Sequence, residues 1–239
     1  MRIRLLALAL SAALLSPACG LITAPRPTST PTDTPAPTLT GTPTPQPQPV
    51  VAPTLPPAVG WQRHQTEEFV IWLPGTWVSS PLEREALEFM MGMWEATNPR
   101  VAEYLDFFIE AGLHEQIDFW AMDTEATKFV SNVVIVSVPV PVSPASYVTS
   151  TSTELERMAA TIVSTDDALE IDGLPAARIE YRMPMDLPGS GDMVARGVQY
   201  AVFVDSSTYV LTFTTSEEQT NDVAPIFEMS ANSLRVFRR

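Results

Sequence analysis

From Trp61 onward the chain moves between two spacings of apolar residues, and each spacing marks an element. Phe69-Val70-Ile71-Trp72-Leu73 is a short apolar run stopped by Pro74-Gly75, which predicts a strand ended by a turn. Leu82, Ala86, Phe89, Met90 and Met93 then recur at helical steps and predict one apolar face, with Glu85, Glu88 and Glu95 opposite. Asn98-Pro99 restarts the pattern, because Asn suits the N-cap and Pro the first helical position. Val101, Ala102, Leu105, Phe108 and Ile109 form the apolar face of this second helix. Glu103, Asp106 and Glu110 form its polar face, and Gly112 is its stop.

The period then shortens to two. Ile117–Met122 predicts a strand, and Phe129–Val140 is apolar on both faces, as a strand covered on both sides is. Residues 145–162 return to helical spacing, with Leu155, Met158, Ala159 and Ile162 on one side. Ala168–Ile171 and Leu174–Met183 flank Asp172-Gly173, a two-residue type I′ turn pair, and predict a hairpin. Within it Ala177, Ile179, Tyr181 and Met183 alternate with Arg178, Glu180 and Arg182. A second hairpin joins Val194–Val204 to Tyr209–Thr215, and a last helix covers Asn221–Ser233 before Leu234–Phe237. Tight turns leave no room for crossover helices, so the predicted class is α+β: an antiparallel sheet flanked by helices.

Before Gly60 neither spacing exists. Arg2 and Arg4 precede the apolar run Leu5–Leu15, whose helix would rise about 17 Å, short of the roughly 30 Å hydrocarbon core. That is the pattern of a secretory signal peptide. The segment Leu15-Ser16-Pro17-Ala18-Cys19-Gly20 resembles a bacterial lipobox, with small Ala18 directly before the cysteine and Leu15 at −4 where the motif favours −3. The resemblance implies that Cys19 is acylated, palmitate being a typical chain, and becomes the mature N-terminus. From Thr23 to Val59 Pro and Thr dominate, aromatics are absent, and Arg26 and Asp33 are the charges. Such a segment buries too little apolar surface to offset its ordering entropy, and reads as a disordered, extended stalk. The predicted organisation is 1–18 signal peptide, 19–59 lipidated stalk and 60–239 folded domain.

Composition narrows the function. Of 239 residues, 14 are Lys or Arg and 28 Asp or Glu, a net charge of −14 that argues against a nucleic-acid partner. One cysteine and two histidines exclude a disulfide framework and a thiolate- or imidazole-rich zinc site. Nucleotide-binding glycine loops, the G-x-S-x-G elbow, H-E-x-x-H and EF-hand loops are all missing from the sequence. The expectation is therefore no enzyme, no cofactor and no metal.

Four segments together resemble the PsbP-like superfamily: Phe69–Trp77, Phe129–Val136, the hairpin Ile171–Tyr181, and the ending from Tyr209–Thr214 through Pro225-Ile226-Phe227 to Asn232–Val236. That resemblance implies an α/β/α sandwich around an antiparallel sheet, and a binding or accessory scaffold. It carries no catalytic residue onto this chain.

The acids Glu85, Glu88, Glu95, Glu103, Asp106 and Glu110, continued by Glu115 and Asp118, read first as a solvated helix face. Their alternatives are a calcium site or a docking surface for a cationic partner. Arg178, Arg182 and Arg196 read as exposed cross-strand ion pairs around Glu180, with a carboxylate-binding groove as the alternative. Leu87, Met91, Trp94, Tyr104 and Phe107 widen the apolar faces of the two helices; the aromatic and Met residues here read mostly as core, with a partner- or lipid-facing patch as the alternative for the excess. The expected function is a lipid-anchored extracytoplasmic binding or accessory protein, joined to the membrane through Cys19 and to an unknown protein or small-molecule partner. A carrier of a small apolar or lipid ligand is the alternative, and a hydrolase with scattered residues a third.

Overall fold

A computed structural model describes residues 56–237, apart from 127–128, 140, 188–190 and 206. The expected signal peptide, Cys19 and nearly all of the Pro/Thr-rich stretch lie outside the described residues.

Among the described residues there are ten strands and four α-helices, beginning at Trp61. In chain order they are β1 Trp61–Gln65, β2 Phe69–Pro74, β3 Trp77–Val78, α1 Arg84–Glu95, α2 Pro99–Glu110, β4 Phe119–Asp123, β5 Asn132–Val138 and α3 Pro144–Arg157. There follow β6 Thr161–Ile171, β7 Leu174–Leu187, β8 Gly191–Val204, β9 Ser207–Ser216, α4 Thr220–Asn232 and β10 Arg235–Val236. The main sheet has the order β3-β4-β5-β9-β8-β7-β6, and a small one the order β1-β2-β10. Every pairing is antiparallel, so the predicted α+β class is the observed one.

Strand alternation sends successive side chains to opposite faces of the main sheet. One face carries Val133, Ile135, Val198, Val202, Leu211 and Phe213, packed against Phe69, Ile71 and Leu73 of the small sheet and Phe227 and Ala231 of α4. The other face has two patches. Ala177, Ile179, Tyr181 and Met183 pack on Tyr147 and Leu155 of α3. Trp120, Met122 and Val130 pack on Leu87 and Met90 of α1 and Leu105, Phe108 and Ile109 of α2. Val133 and Val134 on β5 thus face different cores, as its continuous apolar run predicts.

Turn chemistry agrees with the sequence at two places. Asp172 (φ 56°) and Gly173 (φ 69°) both occupy the left-handed region, and Ile171 pairs directly with Leu174, the geometry of a type I′ hairpin. Gly112 (φ 66°) ends α2 in the same left-handed conformation.

Several expectations are corrected. The buried face of α1 is Leu87 and Met90, with Met91 and Trp94 half-buried; Phe89 is 71% exposed and Met93 55% exposed. The apolar stripe is too broad to fix the helix rotation, and packing against Trp120 and Met122 decides it. Asn98 does not cap α2 with its side chain; its Nδ2 donates instead to the carbonyls of Thr124 and Ala126, tying α2 to the end of β4. The helix expected to reach residue 162 stops at Arg157. Ala159 turns left-handed (φ 66°) and Ile162 joins β6, pairing with Tyr181. Thr161-Ile162-Val163 is a β-branched run that gains a sheet partner there. The strand foreseen over 129–140 is limited to Asn132–Val138. The strand foreseen over 168–171 begins at Thr161, β1 was not foreseen, and β7 and β8 form a long hairpin paired out to Leu187 and Gly191.

Candidate interaction surface

The helix pair α1–α2 presents the acidic residues outward. Glu85, Glu88, Glu95, Glu103, Asp106 and Glu110 are all exposed, and Arg84 is tied to Glu88 at 3.3 Å across one turn. At roughly half exposure on both sides, such a pair contributes only a few tenths of a kcal/mol, about 0.3–0.5. Of the continuation, Glu115 is exposed and the Asp118 carboxylate accepts a hydrogen bond from the Ser137 amide. Among the described residues no three His, Cys, Asp or Glu side chains come together as a metal site. The surface also carries what the sequence assigned to the core: Phe89 and Met93, one turn apart among the acids.

The arginines form a denser arrangement. Arg178, Glu180 and Arg182 share a face of β7, and Arg196 lies opposite Arg182 on β8. The Glu180 carboxylate accepts from Arg178 Nη2 at 2.7 Å, from Arg196 Nε at 2.8 Å and from Ser164 Oγ at 3.0 Å. Burial alone would raise its pKa; the hydrogen bonds from Arg178 and Arg196 outweigh that and hold it below the ordinary value. Glu217, just after β9, joins with Oε1 2.8 Å from Arg182 and Oε2 3.6 Å from Arg196. The Arg178 guanidinium lies 6.0 Å from the Tyr200 ring centroid. The sequence reading of exposed pairs is corrected here: the Arg196 side chain is 10% exposed and that of Glu180 15%. Three cations meet two carboxylates, and the carboxylates are already engaged, so the cluster ties the β7–β8 hairpin to the segment leading into α4.

A polar tie on the other face joins Tyr147 of α3 to the sheet, its hydroxyl donating to Gln199 Oε1 at 3.1 Å. Burial pushes the phenols of Tyr147, Tyr104 and Tyr181 well up, so all three are neutral hydrogen-bonding or packing groups. His64 Nδ1 lies 3.0 Å from Ser79 Oγ, but its Nε2 is buried with no partner among the described residues. That second nitrogen is where an acidic or carbonyl group orients the ring in a serine–histidine pair, and no such group meets it among the described residues. Burial also lowers the His64 pKa. His114 is buried beside Phe108, far along the chain from His64 and in a different core.

Two solved proteins have a similar outline. The cyanobacterial PsbP protein CyanoP of Synechocystis sp. PCC 6803 is 13% identical, with a TM-score of 0.48 over 79% of this chain and 99% of that one. LpqN of Mycobacterium tuberculosis, described as involved in cell envelope biogenesis, is 9% identical, with a TM-score of 0.44 over 74% of this chain and 91% of that one. Likeness at this level concerns the course of the chain and assigns no role. No protein-family model matches the chain, and no curated protein matches it in sequence.

Sequence reasoning placed the six acids correctly on the outside and grouped Arg178, Glu180 and Arg196, because strand parity decides which side chains share a face. It missed Glu217, which reaches the arginines only through the turn after β9. It also missed the exposure of Phe89. The local pattern carries no signal for it, because the apolar positions of α1 spread too far round the helix and the contact of Leu87 and Met90 with Trp120 and Met122 selects the buried side.

Proposed function

We propose that this chain is a non-catalytic binding or accessory protein, held on the extracytoplasmic side of a bacterial cell membrane by acylated Cys19. Its α+β domain is carried on the Pro/Thr-rich stretch and meets a protein or small-molecule partner. The observation that carries the reading is the position of Cys19, the chain's one cysteine, directly after Arg2, Arg4 and the Leu5–Leu15 run. An unpaired thiol delivered to an oxidising compartment is a liability, whereas an acylated one is a tether. No described helix is long and apolar enough to cross a membrane, so the described residues offer no helical alternative to that tether. Cys19→Ala followed by fractionation of the native host tests it. The expected result is release into the medium or an uncleaved precursor; a Cys19→Ala protein that stays membrane-bound at the mature size overturns it.

A carrier of a small apolar or lipid ligand has one observation in its favour. Within the core beneath α1 and α2, Trp94 Nε1, Trp120 Nε1 and His114 Nδ1 are buried without hydrogen-bond partners among the described residues. Buried polar groups are rarely left so, and a bound molecule with acceptor atoms would satisfy them. Native mass spectrometry of protein from its own host distinguishes the readings: a bound species supports the carrier, and repeated apo spectra remove it.

A further inference from the structure

Phe89 of α1 is 71% exposed and Met93, one turn on, is 55% exposed, while Leu87 and Met90 of the same helix are buried in the core. The helix is therefore already anchored, and Phe89 and Met93 are surplus to its packing. Glu85 lies one turn before Phe89, and Glu88 is its chain neighbour. Gly92, on the same outer side, has nothing within 4 Å of the place where its Cβ would stand. A glycine inside a helix weakens it relative to alanine. Here no neighbour in the fold takes up the space that the missing methyl leaves. The result is an aromatic ring and a thioether beside bare backbone, rimmed by carboxylates.

We infer that this outer face of α1 is a docking site for a cationic segment of a partner protein, one that inserts a large apolar side chain beside Gly92 and between Phe89 and Met93. Charge selects that occupant. The chain carries a net −14, and the rim is Glu85, Glu88 and Glu95, with Arg84 occupied by Glu88. A second copy would bring like charges together, and so would an anionic lipid surface. Lys or Arg flanking one apolar anchor is complementary at both levels: the anchor supplies the binding energy, the rim the encounter rate and the discrimination. The inference rests on the proposed binding role and names the partner class for the acidic helix face.

The test uses the full chain in detergent and a synthetic helical peptide of Lys and Leu at amphipathic spacing, with Lys/Ser and Glu/Leu peptides as controls, read by calorimetry. The Lys/Leu peptide is expected to bind at least about tenfold more tightly than either control, the scale of one lost anchor. Phe89→Ser combined with Met93→Ser lowers that affinity by about tenfold or more without lowering Tm, because neither side chain supports the core. Gly92→Ala raises Tm and weakens binding, since the methyl fills the vacant spot. The inference is overturned if the Lys/Leu peptide does not bind or the Lys/Ser peptide binds equally well. It also fails if the double substitution leaves affinity unchanged, or if Gly92→Ala raises Tm without affecting binding. Dimerisation, or binding to phosphatidylglycerol vesicles, that is lost on Phe89→Ser overturns it too, by naming a different occupant. Failure of the anchoring proposal is separate: it appears in the fractionation of Cys19→Ala and leaves these affinities untouched.

Discussion

The Tyr181 ring lies so close over Gly197, its direct cross-strand partner on β8, that a Cβ at 197 would stand 2.2 Å from Tyr181 Cζ. Tyr181 is itself 3% exposed and has nowhere to retreat. Gly197→Ala is therefore expected to cost about 1–3 kcal/mol, the range for overpacking a filled core. Urea unfolding measures it. In a Tyr181→Leu background the same alanine is expected to cost less, and the difference is the coupling between the two positions.

The Asp172-Gly173 turn requires both residues at positive φ. Gly173→Val places a β-branched side chain there and is expected to destabilise by about 1–3 kcal/mol, with the loss spread over the hairpin β6–β7. Asp172→Asn keeps the backbone preference but gives up the pairing of Asp172 Oδ1 with Arg235 Nε at 3.2 Å. Its expected cost is about 0–1 kcal/mol and falls with added salt, as that of a partly exposed ion pair does. Denaturation at low and high ionic strength separates the two contributions.

Ala159 ends α3 at φ 66°, where a Cβ is unfavourable. Ala159→Gly relieves that strain and adds some unfolded-state freedom, so the net gain is expected at about 0.5–1 kcal/mol. An increase in the urea midpoint without a change in slope is the expected signature.

Two groups make the domain lose stability toward acid, starting at different pH values. His64 has a folded pKa below its ordinary value of 6.5 because it is buried, so the fold favours its neutral form. That contribution is complete above 6.5 and is lost as pH falls below it. Glu180 has a folded pKa below its ordinary 4.5, the guanidinium hydrogen bonds outweighing burial, so its contribution is complete above 4.5 and is lost at lower pH. Melting temperature against pH is expected to fall in two contributions, an upper one that starts at 6.5 and a lower one that starts at 4.5. His64→Phe removes the upper one. Glu180→Gln removes the lower one and costs about 1.5–3 kcal/mol near neutrality, the range for hydrogen bonds to charged groups.

Local rules made much of this fold readable. Period-two alternation fixed which of Ala177, Arg178, Ile179 and Glu180 share a face, and a two-residue turn with Gly173 fixed the register beside it, from Ile171 with Leu174 to Leu169 with Ala176, before the pairing shifts at Asp166. What stayed hidden depends on distant parts of the chain. The rotation of α1, and with it the exposure of Phe89, is set by Trp120 and Met122 more than twenty-five residues later. The early end of α3 is set by the wait of Tyr181 and Arg182 for a partner strand at Thr161 and Ile162. Asn98 had a good local role as a cap, yet its amide bonds to the carbonyls of Thr124 and Ala126. In each case a tertiary contact outcompeted a local preference of comparable size.

The small sheet has a consequence for how the domain is made. Its middle strand holds Val70 and its outer strand Arg235, and these two pair directly. Phe69, Ile71 and Leu73 are covered in part by Phe227, Ala231 and Leu234 from the far end of the sequence. A chain still emerging from the ribosome cannot finish this layer until residues 227–236 have been synthesised, because loop closure over such a span precedes the contacts that reward it. Until then this face of the nascent chain stays open, and a chain whose last layer is open can be threaded through a narrow channel before it closes.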